Sequence, residues 1–211
     1  EIRNCDWSSD VCSSDLWRWW PRGCNPGQGP GAVNESDDLS ALTAGVQSKH
    51  RRSLARAVSI VENGGSPAQQ MLEELALLPP HQKPSHVIGL TGAPGVGKST
   101  LTAALIQALR EDQRTVAVLA VDPSSPFSGG ALLGDRVRMQ TFAGDGGVFI
   151  RSMSSRGHLG GLALAASNVL LVLEVAGFDV ILVETVGVGQ SEVDVAATAD
   201  TAVVLVAPGM G

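Results

Sequence analysis

The stretch Gly92 to Thr100, GAPGVGKST, restricts this chain more than any other. It fits GxxxxGK[ST], and it lies between the apolar run VIGLT (Val87 to Thr91) and the helical pattern STLTAALIQALRED. Strand, glycine loop and helix are the setting this motif requires. Backbone N–H groups can wrap a phosphate chain only where no side chain blocks the approach, and a helix N-terminus adds partial positive charge. Gly92, Ala93, Pro94, Gly95, Val96, Gly97, Lys98, Ser99 and Thr100 are therefore expected to cradle phosphates. Lys98 would reach the β and γ phosphates as the catalytic cation, and the Ser99 hydroxyl would bind Mg2+. A dinucleotide-binding GxGxxG turn does not fit, because Thr100 stands where the third glycine belongs.

Composition narrows the class. With 211 residues, 44% hydrophobic and 17% charged, the chain can bury a sizeable core. A formal charge of -6 with only 15 Lys and Arg argues against nucleic acid as a partner. Apolar runs stop early, VLLVL at Glu174 and AVVLV at Pro208, well short of the roughly 20 residues of a membrane span. A cytoplasmic protein with no membrane partner is expected. Cys5, Cys12 and Cys24 all precede residue 25, so neither a disulfide framework nor a CxxC metal site is present.

The first residues differ in character from the rest of the chain. Trp7, Trp17, Trp19 and Trp20 fall in the same short region as the cysteines, and Asp6 to Leu16, DWSSDVCSSDL, resembles the conceptual translation of a sequencing adapter. Residues 1–37 are expected to be artefactual or disordered and are set aside. Residues 38–84 are expected to form a helical appendage. Leu42, Val46, Leu54, Val58 and Val61 fit one apolar stripe, with Lys49, His50, Arg51 and Arg52 on a solvated face. Asn63, Gly64 and Gly65 end it, and Ser66, Pro67 and Gln69 read as the capping box of a second helix.

Residues 85–211 alternate apolar runs with helical or loop segments, as a mostly parallel sheet flanked by helices demands. Strands are predicted at Val87 to Leu90, Thr115 to Val121, Val148 to Ile150, Val180 to Val183 and Ala202 to Val206, and helices at Ser99 to Glu111 and Leu162 to Ala176. Asp122 to Gly147, long and rich in Gly, Ser and Pro, is a candidate switch. In a parallel sheet the ligand lies beyond the carboxyl ends of the strands. Asp122 ends TVAVLAVD and Glu184 ends DVILVE, so both are candidate Mg2+ ligands, directly or through water. Gly187, three residues after Glu184, would offer its N–H to the γ phosphate and sense its loss. Gln190 is near enough to orient the attacking water, and Asp135 is a weaker metal candidate.

Together GLTGAPGVGKSTL, AVDPSSPFSGGALLGDRVRM, FIRSMSSRGHLGG and LVETVGVGQSE resemble one family, the methylmalonyl-CoA mutase-associated GTPases of MeaB/ArgK type. The resemblance implies a P-loop GTPase fold, GTP and Mg2+ as ligands, a homodimer, and a cobalamin-dependent methylmalonyl-CoA mutase as partner. The GTPase would gate loading of the mutase's cofactor and protect or reactivate the enzyme. It also implies Ser99, Asp122, Asp135 and Glu184 around the metal, with switches at Asp122 to Met139 and Glu184 to Val188. Arg156 and His158 match the family pattern without an assigned role. The family continues past PGMG to an NKxD motif that pairs with guanine and to a dimer arm. This chain is therefore expected to be a fragment, with GTP rather than ATP implied by the resemblance alone. The rival readings are an ATP-dependent kinase, a nickel-insertion GTPase and a non-catalytic nucleotide-binding module.

Overall fold

The β-branched runs on either side of the phosphate loop pair into one parallel sheet. The computed structural model describes residues 35–79, 81, 83–122, 140–142, 144–154, 161–185, 198–207 and 209. Its strands are β1 (His86–Gly92), β2 (Val116–Asp122), β3 (Val148–Ser154), β4 (Val180–Thr185) and β5 (Thr201–Leu205). Its helices are α1 (Glu35–Gln47), α2 (Arg51–Asn63), α3 (Gly65–Ala76), α4 (Lys98–Glu111) and α5 (Gly161–Val175). The strand order is β3-β2-β4-β1-β5, and every neighbouring pair is parallel. The predicted strands all form. β3 runs on past Ile150 because Arg151 to Ser154 pair with Leu119 to Asp122, a tertiary contact that polar RSMS does not announce.

Alternation along the strands makes two cores, because successive side chains leave opposite faces of a sheet. On one face Val116, Val118, Val148, Val180 and Leu182 meet Ile106 of α4. On the other, Ala117, Leu119, Val121, Phe149, Met153, Ile181 and Val183 meet α1, α2, α3 and α5. β4, in the centre, is buried along its whole length. α5, GLALAASNVLLVLEV, is apolar almost all round, as a helix wedged between sheet and helices must be. None of the helices among the described residues is long and apolar enough to cross a membrane.

Residues 38–84, set apart in the sequence as a helical appendage, share the second core. Leu42 and Val46 of α1, Leu54, Ala57, Val58 and Val61 of α2, and Met71 and Leu75 of α3 are all buried in it. The described residues from Ser36 onward belong to one compact unit. The single stripe predicted from Asp38 is two helices. Lys49 takes φ +56°, and the N–H groups of Lys49 and His50 turn back to the carbonyls of Val46 and Gly45. Gly45 permits the corner, since a Cβ there would fall 2.2 Å from Ser53 Oγ.

That corner also draws one member of the basic run, Lys49, partly out of solvent. The Lys49 ammonium lies 5.4 Å from the centre of the Phe178 ring, a contact worth on the order of 1 kcal/mol. Arg51 Nη2 donates to the Val148 carbonyl at 3.1 Å, tying α2 to the start of β3. His50, Arg51 and Arg52 are exposed, as expected. The capping box is a second correction. α3 starts at Gly65, after Gly64 at φ +73°, and no side chain caps it. Two successive glycines at positive φ let the helix begin before Ser66, and Gln69 Nε2 donates instead to Glu73 Oε1 at 2.9 Å.

At the far end of α4, Arg110 holds Asp145 with two hydrogen bonds, Nε to Oδ2 at 2.8 Å and Nη2 to Oδ1 at 3.0 Å. Gly147 N–H donates to the same carboxylate at 2.8 Å. A Cβ at Gly147 would lie 2.4 Å from Arg110 Cζ, so glycine there lets the guanidinium lie flat on the loop. The Arg110 guanidinium, then the Gly147 N–H, hold the Asp145 carboxyl below its ordinary range. A carboxyl so lowered stabilises the fold above its unfolded pKa and loses that contribution as pH falls through the folded value. Asp145→Asn should therefore lower Tm at pH 7, with the difference from wild type vanishing by about pH 2, below both pKa values. Thermal melts across that range check it; a difference unchanged at acid pH would count against the pair.

Candidate nucleotide and metal site

β1 delivers the chain to the carboxyl edge of the sheet at Gly92, where a normal side chain cannot pass. Gly92 has φ +143°, and a Cβ would stand 2.4 Å from the Leu205 carbonyl oxygen of β5. Ala93, Pro94, Gly95 and Val96 then turn tightly, with Val96 N–H donating to Ala93 O at 3.2 Å. Gly97, at φ +104°, is the left-handed N-cap of α4 and carries no side chain to occupy the helix end. α4 begins at Lys98, so the first-turn N–H groups of Lys98, Ser99 and Thr100 belong to the loop's concave side. An N-terminus built this way suits an anion.

Lys98 is buried, at 8% exposure, and its ammonium folds back over the loop. Nζ donates to the carbonyls of Gly92 at 2.5 Å and Ala93 at 3.0 Å. Among the described residues these two neutral oxygens are its partners, so the charge stands ready for an anion.

Glu184 comes to the loop by strand register. Leu90 of β1 and Ala120 of β2 flank it, which sets its carboxylate beside the base of the loop. It is 5% exposed, yet both oxygens are hydrogen-bonded from α4. Ser99 Oγ donates to Oε1 at 2.6 Å, and the Thr102 hydroxyl lies 2.9 Å from Oε2. Thr185, next along β4, donates its hydroxyl to Leu90 O at 3.3 Å and links the two strand ends.

The structure thus brings together the phosphate loop from Gly92 to Thr100, Lys98, Ser99 and Glu184. Asp122 ends β2 at the same edge, one strand beyond β4. Asp135, Gly187 and Gln190, like Arg156 and His158, lie outside the described residues. Thr102 is the residue that sequence reasoning missed. Its signal was a hydroxyl one turn after Lys98, in line with buried Ile106 on the inward stripe of α4. A groove of about 420 Å3 between Leu75, His81 and Glu174 opens at the opposite end of the sheet, where β1 and β5 begin, and takes no part in this site.

Oxygen donors of this kind suit a hard cation. No group of three or more His, Cys, Asp or Glu able to hold a metal occurs among the described residues. Mg2+ does not need one, since it keeps waters and binds through one or two carboxylates with the substrate's phosphates. Ser99 and Glu184 fit that role.

The family model described as methylmalonyl Co-A mutase-associated GTPase MeaB matches residues 54–211. The chain belongs to the MeaB family. A protein of Pyrococcus horikoshii with a provisional GTPase designation is 51% identical over 161 residues, covering 76% of this MeaB-family chain and 50% of the relative. The GTPase ArgK of Escherichia coli is 44% identical over 181 residues, with 85% and 54% covered. The mouse mitochondrial protein named methylmalonic aciduria type A homolog is 39% identical over 184 residues, with 82% and 44% covered. The crystal structure of a LAO/AO transport system kinase superposes with TM-score 0.61 at 32% identity, over 82% of this chain and 51% of that one. The chain spans about half the length of the relatives it matches.

Proposed function

We propose that the protein binds GTP with Mg2+ and hydrolyses it, in the service of an adenosylcobalamin-dependent methylmalonyl-CoA mutase. The observation that carries the nucleotide reading is the convergence of an anion-ready Lys98 with the Ser99–Glu184 pair at the end of one phosphate loop. Guanine, and the mutase as partner, are supported by the family and by the names its members carry. Gating of cofactor loading, protection of the mutase, a homodimeric assembly and a cytoplasmic place of action belong to the same proposal.

Hydrolysis of a phosphoanhydride asks a protein mainly to position and to neutralise charge. The loop's N–H groups would hold the bridging and non-bridging oxygens. Lys98 would exchange its two carbonyl partners for β and γ phosphate oxygens, whose charge grows as the bond breaks. Mg2+, when bound, would supply Lewis-acid stabilisation of the same oxygens. Ser99 and Glu184 would hold the ion, with the Ser99 hydroxyl still donating to the carboxylate and the carboxylate acting directly or through water. Asp122 and Asp135 are the further acids proposed near it. Gly187 and Gln190 are proposed to sense the γ phosphate and to orient the attacking water.

Glu184→Gln keeps the shape and removes the charge. It should leave nucleotide binding in EDTA within about twofold and weaken the Mg2+-dependent part by roughly tenfold or more. Single-turnover hydrolysis should fall by on the order of a hundredfold. Wild-type Mg2+ dependence in this variant would remove Glu184 from the metal site. The kinase named in the structural match supplies a second reading. Phosphate released to solution supports hydrolysis, whereas phosphate on a small acceptor would support the kinase.

A further inference from the structure

We infer that Thr102 is a positioning residue for Glu184, holding its carboxylate against α4 and toward Ser99 before nucleotide and metal arrive. The inference deepens the nucleotide and Mg2+ reading and rests on it.

Glutamate has three rotatable bonds, and one hydrogen bond from Ser99 fixes only one of its oxygens. The second anchor comes from inside the protein. Thr102 has no exposed surface, and its hydroxyl sits 2.9 Å from Glu184 Oε2. With Ser99 on Oε1 at 2.6 Å, the carboxylate is held at two points by residues three apart on one helix face. Its oxygens are thereby presented in a set direction, and a buried acceptor is not left bare.

Thr102 has one proton and two acceptors. Its hydroxyl is also 3.0 Å from the carbonyl of Lys98, four residues back, a bond that helical threonines commonly make. With both acceptors in reach, the hydroxyl can rotate between them without leaving a buried donor unmatched. The threonine thus holds the glutamate in the position, in contact with Ser99, from which it would serve the ion. A valine of the same shape would not hold it there.

The test compares Thr102→Val and Thr102→Ser with wild type, using a fluorescent GTP analogue titrated in EDTA and then against Mg2+, with Tm measured alongside. Thr102→Val is expected to bind the analogue in EDTA within about twofold of wild type. Its midpoint for Mg2+ should rise about tenfold, the lower end of the range for groups that hold a metal ligand in place. Thr102→Ser, which keeps the hydroxyl and loses the methyl, should restore the midpoint to within about threefold. A wild-type Mg2+ midpoint in Thr102→Val overturns the inference and leaves the phosphate-loop reading standing. Equal losses in EDTA and in Mg2+, or a serine variant as impaired as valine, also overturn it, because they show a packing role. Failure of wild type to bind the analogue overturns the phosphate-loop reading, and this inference with it.

Discussion

Lys98→Ala should reduce nucleoside triphosphate hydrolysis by about a thousandfold and weaken triphosphate binding more than diphosphate binding. The reason is placement: the ammonium is the buried cation of the loop, and among the described residues two neutral carbonyl oxygens hold it. Removing one preorganised charge-stabilising donor from an enzyme site costs about a hundred- to a thousandfold in rate, and a full positive charge belongs at the upper end. Stability should change little, since the carbonyls of Gly92 and Ala93 that lose their donor lie beside an open loop that water can enter. Single-turnover assays and thermal melts on the same preparations separate the two effects. A rate within tenfold of wild type would remove Lys98 from the chemistry.

The second large effect concerns folding. Gly92→Ala places a methyl group 2.4 Å from the Leu205 carbonyl oxygen at a backbone φ of +143°. The obstacle is the main chain of a paired strand, which cannot rotate aside, so β1 and β5 must separate or the loop must change course. The expected cost is about 3 kcal/mol, the upper range for a residue held in a conformation its side chain disfavours. For a unit of this size that is a fall in Tm of roughly 6–12 °C. Gly95→Ala is the control: φ is +78° but nothing lies within 4 Å of the added carbon. It should lose only about 1–2 kcal/mol, the cost of a left-handed residue alone. Equal losses in the two variants would show that the contact with β5 is unimportant.

These effects show which parts of the molecule a linear reading reaches. The phosphate loop was legible because its chemistry demands glycine, lysine and serine at fixed intervals, and all nine residues lie together. The strands were legible because sheets buried on both faces need unbroken β-branched runs. Glu184 was legible by position at the end of such a run. Thr102 was not, because its role depends on the register that brings β4 beside β1, and the inward stripe it shares with Ile106 marks it as buried without naming a partner.

The helices before β1 went the other way. Their apolar positions were read correctly, yet the break is a left-handed turn at Lys49, a residue type that does not announce one, and the placement of Lys49 over Phe178 is a contact between residues far apart in sequence. The basic run was assigned to solvent because charge is usually solvated. Arg51, exposed as assigned, also reaches a carbonyl of β3 with a side chain long enough to cross the helix–sheet gap. The capping box failed for a local reason, since Gly64 and Gly65 offered the helix an earlier start.

The most direct test of the central claim is calorimetric titration of the protein with GTP, in Mg2+ and then in EDTA, with ATP as comparison. One saturable site is expected that binds GTP, that weakens by tenfold or more when Mg2+ is removed, and that is lost in Lys98→Ala. Binding of GTP that ignores both Mg2+ and Lys98, or no binding at all, would contradict it.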